Sequence, residues 1–138
     1  MPVKKILIVD DSPTERHSLT ELLHGHGYQV FTSESGDEGV AKAKEVKPDL
    51  VLMDVVMPGT NGFQATRALT RDEATKHIPV ILCTTKDQET DKVWGMRQGA
   101  MDYLTKPIDP AALIAKIAAI PSALVTTTST YGQTNQSA

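Results

Sequence analysis

A chain of 138 residues with 40% apolar content has the length of one domain and enough apolar side chains for one core. Its formal net charge of -3, with no basic stripe beyond Lys4-Lys5, speaks against a nucleic-acid partner. The first apolar run is about four residues long and stops at acids, and nothing approaches the ~20 apolar residues of a membrane span, so a soluble cytoplasmic protein without a secretory leader is expected.

Short apolar runs alternate with amphipathic stretches. The first strand is expected over Lys5 to Val9 and stops at Asp10-Asp11. Ser12-Pro13-Thr14-Glu15 then opens a helix, with Ser12 as cap, Pro13 in the first turn and Glu15 closing a capping box. Leu19, Leu22 and Leu23 form its apolar stripe, and Gly25 and Gly27 end it. A second strand over Gln29 to Thr32 leads to Ser35-Gly36-Asp37-Glu38, again with capping-box spacing. Val40, Ala43 and Val46 are the core face of that second helix, and Pro48 ends it.

The third strand, Asp49 to Met53, stops at Asp54 and the turn Val55-Val56-Met57-Pro58-Gly59. A third helix follows from Asn61 to Thr70 and buries Phe63 and Leu69. The fourth strand, Val80 to Cys83, stops at Thr84-Thr85, and a fourth helix runs from Gln88 to Gln98. The fifth strand, Asp102 to Leu104, stops before Lys106-Pro107. Asp109-Pro110 opens a fifth helix with Leu113, Ile114 and Ile117 inward. The lone Cys83 lies in an apolar run and reads as a buried core residue. Residues 1–120 form the domain. The segment 121–138 has no charged side chain, is rich in Ser and Thr, and reads as a flexible tail, with edge pairing by Leu124-Val125-Thr126-Thr127-Thr128 as the alternative.

This pattern is an α/β fold, a (βα)5 doubly wound parallel five-stranded sheet. Strands apolar throughout are buried on both faces, and right-handed crossovers place helices on both sides. Ligands of such sheets bind at the carboxyl ends of the strands. Asp10, Asp11, Asp54, Thr84 and Lys106 all fall there. Carboxylates about 4 Å apart repel by roughly 4 kcal/mol at an effective dielectric near 20. A hard divalent cation relieves that strain, and Mg²⁺ is the abundant choice, with Mn²⁺ as a substitute. A carboxylate is also a nucleophile toward phosphorus. Asp54 would accept the phosphoryl group, Lys106 and the metal would neutralise its oxygens, and Thr84 would donate a hydrogen bond to it.

Ile8-Val9-Asp10-Asp11-Ser12, Asp54 through Gly62, Pro79 through Thr84, Gly99-Ala100 and Tyr103-Leu104-Thr105-Lys106-Pro107 together resemble the receiver domain of two-component response regulators. The resemblance covers residues 3 to 120. It implies the flavodoxin-like strand order 2-1-3-4-5, for which binding at the strand-order switch is an established case. It implies that Asp54 takes phosphate from a histidine kinase of the chemotaxis type. Asp10, Asp11, Asp54 and the backbone carbonyl of Val56 would hold Mg²⁺. Lys106 would pair with the phosphoryl group across a cis Lys106-Pro107 bond. Thr84 and Tyr103 would form a switch that alters the surface of helix 4, strand 5 and helix 5.

Thr85 stands where that family usually has a smaller residue, and would narrow access to the phosphoryl group. Val56 and Lys86 occupy the family's variable flanking positions. Val56 cannot orient a hydrolytic water, and Lys86 can pair with phosphate, so slow self-dephosphorylation is expected. The stretch Cys83 through Trp94 is similar to the single-domain regulators of twitching and pilus-based motility. Trp94 is expected to pack partly buried, with partner binding as the alternative. His17, His24, His26 and His77 show no metal-ligand pattern and read as solvated.

With no output domain visible after residue 120, the expected partner is a protein, such as a pilus motor or its regulator. The alternative is a phosphate sink or relay. An aspartyl-phosphate hydrolase needs a second Asp two residues after the nucleophile, where this chain has Val56. Only self-phosphorylation and self-dephosphorylation chemistry is expected, not turnover of a separate substrate. Gly-x-x-x-x-Gly-Lys and Gly-x-Gly-x-x-Gly nucleotide loops are absent from the sequence.

Overall fold

The computed structural model describes residues 3–57, 59–85 and 89–120. The expectations placed on Lys86, on a helix start at Gln88 and on the segment 121–138 lie outside these residues. Strands and helices alternate as β1 (Lys5–Val9), α1 (Pro13–Gly25), β2 (Gln29–Ser33), α2 (Gly36–Val46), β3 (Leu50–Asp54), α3 (Gly62–Arg71), β4 (Val80–Thr84), α4 (Glu89–Arg97), β5 (Asp102–Thr105) and α5 (Pro110–Ala118). All strand pairs are parallel, and the sheet order is β2-β1-β3-β4-β5. This is the doubly wound fold expected from the sequence.

Strand side chains alternate between two cores. Leu7, Val9, Val51, Met53, Val80 and Leu82 face Ala43 of α2 and Ala65 and Leu69 of α3. Ile6, Ile8, Leu50, Leu52, Ile81 and Cys83 face Leu19 and Leu23 of α1 and Leu113 and Ile117 of α5. Burial of a Val, Leu or Ile side chain contributes about 1.5–3 kcal/mol. A central strand with both sets buried is therefore held in one register, since a one-residue slip would exchange the two faces. Cys83 is buried as expected, and burial pushes its thiol up to about 12.

β1 ends at Val9 as expected, whereas β2, β3, β4 and β5 each run one residue past their expected ends. Asp54 pairs with Cys83 inside the β3–β4 ladder, and Thr84 pairs with Thr105. Ser33 likewise extends β2 by pairing with Val9. Backbone pairing is indifferent to side-chain polarity, so a polar residue at the edge of the core still extends a strand. Asp49, expected to open β3, precedes it. Its carboxylate instead accepts the backbone N–H groups of Lys4 and Lys5, each at 2.9 Å.

The helix starts also differ in detail. Ser12 and Ser35 each accept the N–H three residues on, at 3.2 Å. Neither box closes as expected. The Ser12 N–H donates to Asp10, and Glu38 takes the N–H of Glu34. A reciprocal capping box forms at Asn61 and Gln64 of α3. Helix α2 ends at Val46, where Lys47 adopts a left-handed conformation (φ 50°) ahead of Pro48.

Among the described side chains of α4, Gly95 packs inward, so close to Leu82 that an added Cβ would force the leucine side chain to shift. Its neighbours are turned outward. Trp94, expected to pack, is 49% exposed beside exposed Val93 and Met96. The four histidines are exposed, as expected.

Candidate functional site

Parallel strands in this order bring the carboxyl ends of β1, β3, β4 and β5 to one edge. Asp10 follows β1 directly, Asp54 is the last residue of β3, Thr84 the last of β4, and Lys106 follows β5. One carboxylate oxygen from each of Asp10, Asp11 and Asp54 lies within 4.8 Å of the others. Lys106 reaches this group, with its Nζ 2.9 Å from Asp10 Oδ2 and 3.2 Å from Asp54 Oδ1. Asp10 is 2% exposed and Asp54 7%, while Asp11 is exposed.

Asp10 is fixed at every polar group. Its N–H donates to the Ser33 carbonyl (3.1 Å), and its own carbonyl accepts Arg16 Nη1 (2.7 Å). Its Oδ1 accepts the Ser12 N–H (2.9 Å), and its Oδ2 accepts from Lys106. The Asp54 strand end is held by its successor. The Val55 N–H donates to the Cys83 carbonyl (3.1 Å), and the Val55 carbonyl accepts the Gly62 N–H (2.9 Å). The turn thus folds back on β3. A Cβ on Gly62 would collide with the Asp54 carbonyl oxygen and come within 2.8 Å of Val55 Cα, so the close approach requires glycine. Val56 leaves the turn outward at 58% exposure.

Burial pushes the Asp54 carboxyl up to about 6, and the charge of Asp10 adds to the rise, while Lys106 opposes it. For Lys106, burial works against the ammonium. The hydrogen bond and charge of Asp10, joined by Asp54, outweigh burial and hold its pKa above the usual lysine value. The two shifts describe one arrangement, in which crowded acids are under-neutralised by a single ammonium.

Opposite ligands of an octahedral ion at about 2.1 Å stand about 4.2 Å apart. Three hard oxygen donors within 4.8 Å of one another, carrying more negative charge than Lys106 offsets, fit a divalent cation such as Mg²⁺.

The remaining expected residues fall around this group. Thr84 is buried, and its carbonyl accepts the Lys106 N–H at 2.7 Å. The Lys106–Pro107 bond is cis. Tyr103 pairs with Leu82 and is half-buried against the α2–α3 side of the sheet. Thr85 is exposed. The sequence reading missed Arg16, the Ser12 amide, the Ser33 carbonyl and Gly62. The Ser12 amide and the Ser33 carbonyl are backbone groups and Gly62 acts by its lack of a Cβ, so none of these three has a side-chain signature. Arg16 had one available signal, a cation within the first turns of a helix, where the helix dipole disfavours positive charge.

Comparison with known proteins agrees with this geometry. The family described as the response regulator receiver domain matches residues 6–118. Protein PilH of Pseudomonas aeruginosa is 65% identical over 116 residues, covering 84% of this chain and 96% of that protein. The phosphate regulon transcriptional regulatory protein PhoB of the same species is 41% identical over 117 residues, which are 85% of this chain and 51% of that protein, so the chain spans about half of its length. Among solved structures, the chemotaxis protein CheY4 of Vibrio cholerae superposes with a TM-score of 0.79 at 33% identity, over 83% of this chain and 96% of that one. The receiver domain of a Pseudomonas aeruginosa sensor histidine kinase, solved with a magnesium ion coordinated in its active-site cleft, gives a TM-score of 0.77 at 30% identity, over 83% and 94%.

Proposed function

The chain belongs to the response regulator receiver domain family, and from that premise we propose that it accepts a phosphoryl group on Asp54 from a chemotaxis-type histidine kinase in the cytoplasm and so controls pilus-driven movement. The observation that carries this reading is the buried Asp54 carboxylate, set beside two further acids and within 3.2 Å of an ammonium. An Asp54 carboxylate oxygen attacks phosphorus. The P–N bond to the kinase imidazole breaks, its electron pair stays on the imidazole nitrogen, and an acyl phosphate remains on Asp54. Bound among Asp10, Asp11, Asp54 and the Val56 carbonyl, Mg²⁺ would supply charge neutralisation to the phosphoryl oxygens. Lys106 exchanges its Asp54 contact for a phosphoryl oxygen while Asp10 continues to orient it.

The phosphoryl group biases an equilibrium rather than creating a state, since it is gripped by Thr84 and Lys106 in only one arrangement. Tyr103, half-buried next to β4, is the reporter of that arrangement. The surface it alters includes α4, whose Val93, Trp94 and Met96 are exposed. Apolar exposure of this kind supports an effector that contacts a protein more than a phosphate sink. The similarity to PilH supports a pilus motor component or its regulator as that protein.

The test is capture of partners by beryllofluoride-treated protein, since beryllofluoride mimics the acyl phosphate, against an Asp54→Ala control. A partner retained only by the treated wild type is expected. Identical captured sets would overturn the switch.

A further inference from the structure

Arg16 is the fourth residue of α1, at the close of its first turn, where positive charge is disfavoured by the helix dipole. It does not extend to solvent there. Its Nη1 donates to the Asp10 carbonyl at 2.7 Å, across six residues and in a partly buried setting. The Ser12 N–H on Asp10 Oδ1 and the Ser12 side chain on the Glu15 N–H tie the same loop to α1. The Asp10 carboxylate is therefore already fixed without Arg16. Among the described residues, the side chain that holds the carbonyl is Arg16, and with the carbonyl it holds the plane of the Asp10–Asp11 peptide, since peptide units are rigid. That plane sets where the exposed Asp11 side chain departs.

We propose that Arg16 is a positioning residue for the acid cluster: its grip on the Asp10 carbonyl fixes the Asp10–Asp11 peptide and aims the Asp11 carboxylate at the cation shared with Asp10 and Asp54. This rests on the divalent-metal reading given above. Electrostatics alone makes the opposite prediction, because removing a guanidinium from the neighbourhood of a cation site lessens repulsion and tightens binding. A residue that merely supports the fold would change the melting temperature and leave the affinity of the folded protein alone. The sign of the effect separates the three roles.

The test is calorimetric titration of MgCl₂ into chelator-treated wild type, Arg16→Ala and Arg16→Lys, with thermal melts of each in the absence of metal. Groups that orient metal ligands typically change affinity 10–100-fold when lost, so Arg16→Ala is expected to bind Mg²⁺ about 10-fold more weakly. Arg16→Lys keeps a donor for this single-N–H contact and is expected to recover most of the loss. Equal or tighter Mg²⁺ binding by Arg16→Ala, with wild type binding normally, overturns the positioning role alone. No binding by wild type overturns the metal reading and this inference with it. If Arg16→Ala does not fold, Arg16→Lys decides between them. A folded Arg16→Lys that binds about 10-fold more weakly or worse, the whole loss expected of Arg16→Ala, contradicts recovery through a single donor.

Discussion

At Asp54 a carboxylate that is 7% exposed stands beside a second buried acid, and the two share the Lys106 ammonium. Its pKa is raised to about 6 from an ordinary 3.8. A raised carboxylate binds its proton more tightly in the folded state than in the unfolded one. Between pH 4 and 6 the folded state therefore holds the extra proton, and stability falls as pH rises through that window. A shift of about two units corresponds to roughly 3 kcal/mol at most. Metal-free wild type is thus expected to lose melting temperature between pH 4 and 7, and Asp54→Asn to lose much less and to be the more stable protein at pH 7. Melts of the two across that range check this, and parallel profiles would contradict it. Val56 bears on a different part of the proposal, the lifetime of the acyl phosphate. At 58% exposure it presents methyl groups beside the strand end that carries the proposed acceptor Asp54, and no hydrogen bond from them can hold an attacking water. Val56→Asn is expected to shorten the lifetime of phospho-Asp54 after donor removal, and a longer lifetime would count against this role.

At the scale of elements, the site depends on how tightly the turn after β3 folds back. Gly62 opens α3 against the Asp54 carbonyl, with no room for a Cβ. Gly62→Ala is expected to destabilise the fold by about 2 kcal/mol or more, as overpacking does, and to weaken Mg²⁺ binding by moving Asp54. Denaturant unfolding together with a Mg²⁺ titration checks both effects, and loss of stability with unchanged affinity would separate the turn from the site. The same elements show what could be read beforehand. Apolar runs such as Ile6 to Val9 and Leu50 to Met53 announce buried parallel strands, and Leu19 and Leu23 repeat at helical spacing. The acids and Lys106 stood out because charges at the ends of such runs have no packing role. Strand ends at Asp54 and Thr84 were placed a residue short, since side-chain polarity does not report ladder hydrogen bonds. How far Trp94 faces outward is not legible in the pattern, because its position on α4 depends on Gly95 packing against Leu82, a contact between distant parts of the chain. The Arg16, Ser12 and Ser33 contacts to Asp10 are likewise matters of geometry, not of pattern.

At the scale of the molecule, the sheet separates two tasks. Its carboxyl edge gathers Asp10, Asp11, Asp54 and Lys106, while its flanks carry helices whose outer faces are open to partners. Helix α4 joins them, since Gly95 packs on Leu82 of β4 and Val93, Trp94 and Met96 face outward. A change at the end of β4 therefore has a short mechanical path to an apolar surface. All of this presupposes that Asp54 is chemically modified. The most direct measurement is intact and peptide mass spectrometry after incubation with acetyl phosphate, a small-molecule phosphoryl donor, with Mg²⁺ and with chelator. One phosphoryl increment that maps to Asp54, requires the metal and disappears in Asp54→Ala is expected. No increment on wild type, or an unchanged increment on Asp54→Ala, would contradict the assignment of Asp54 as the acceptor.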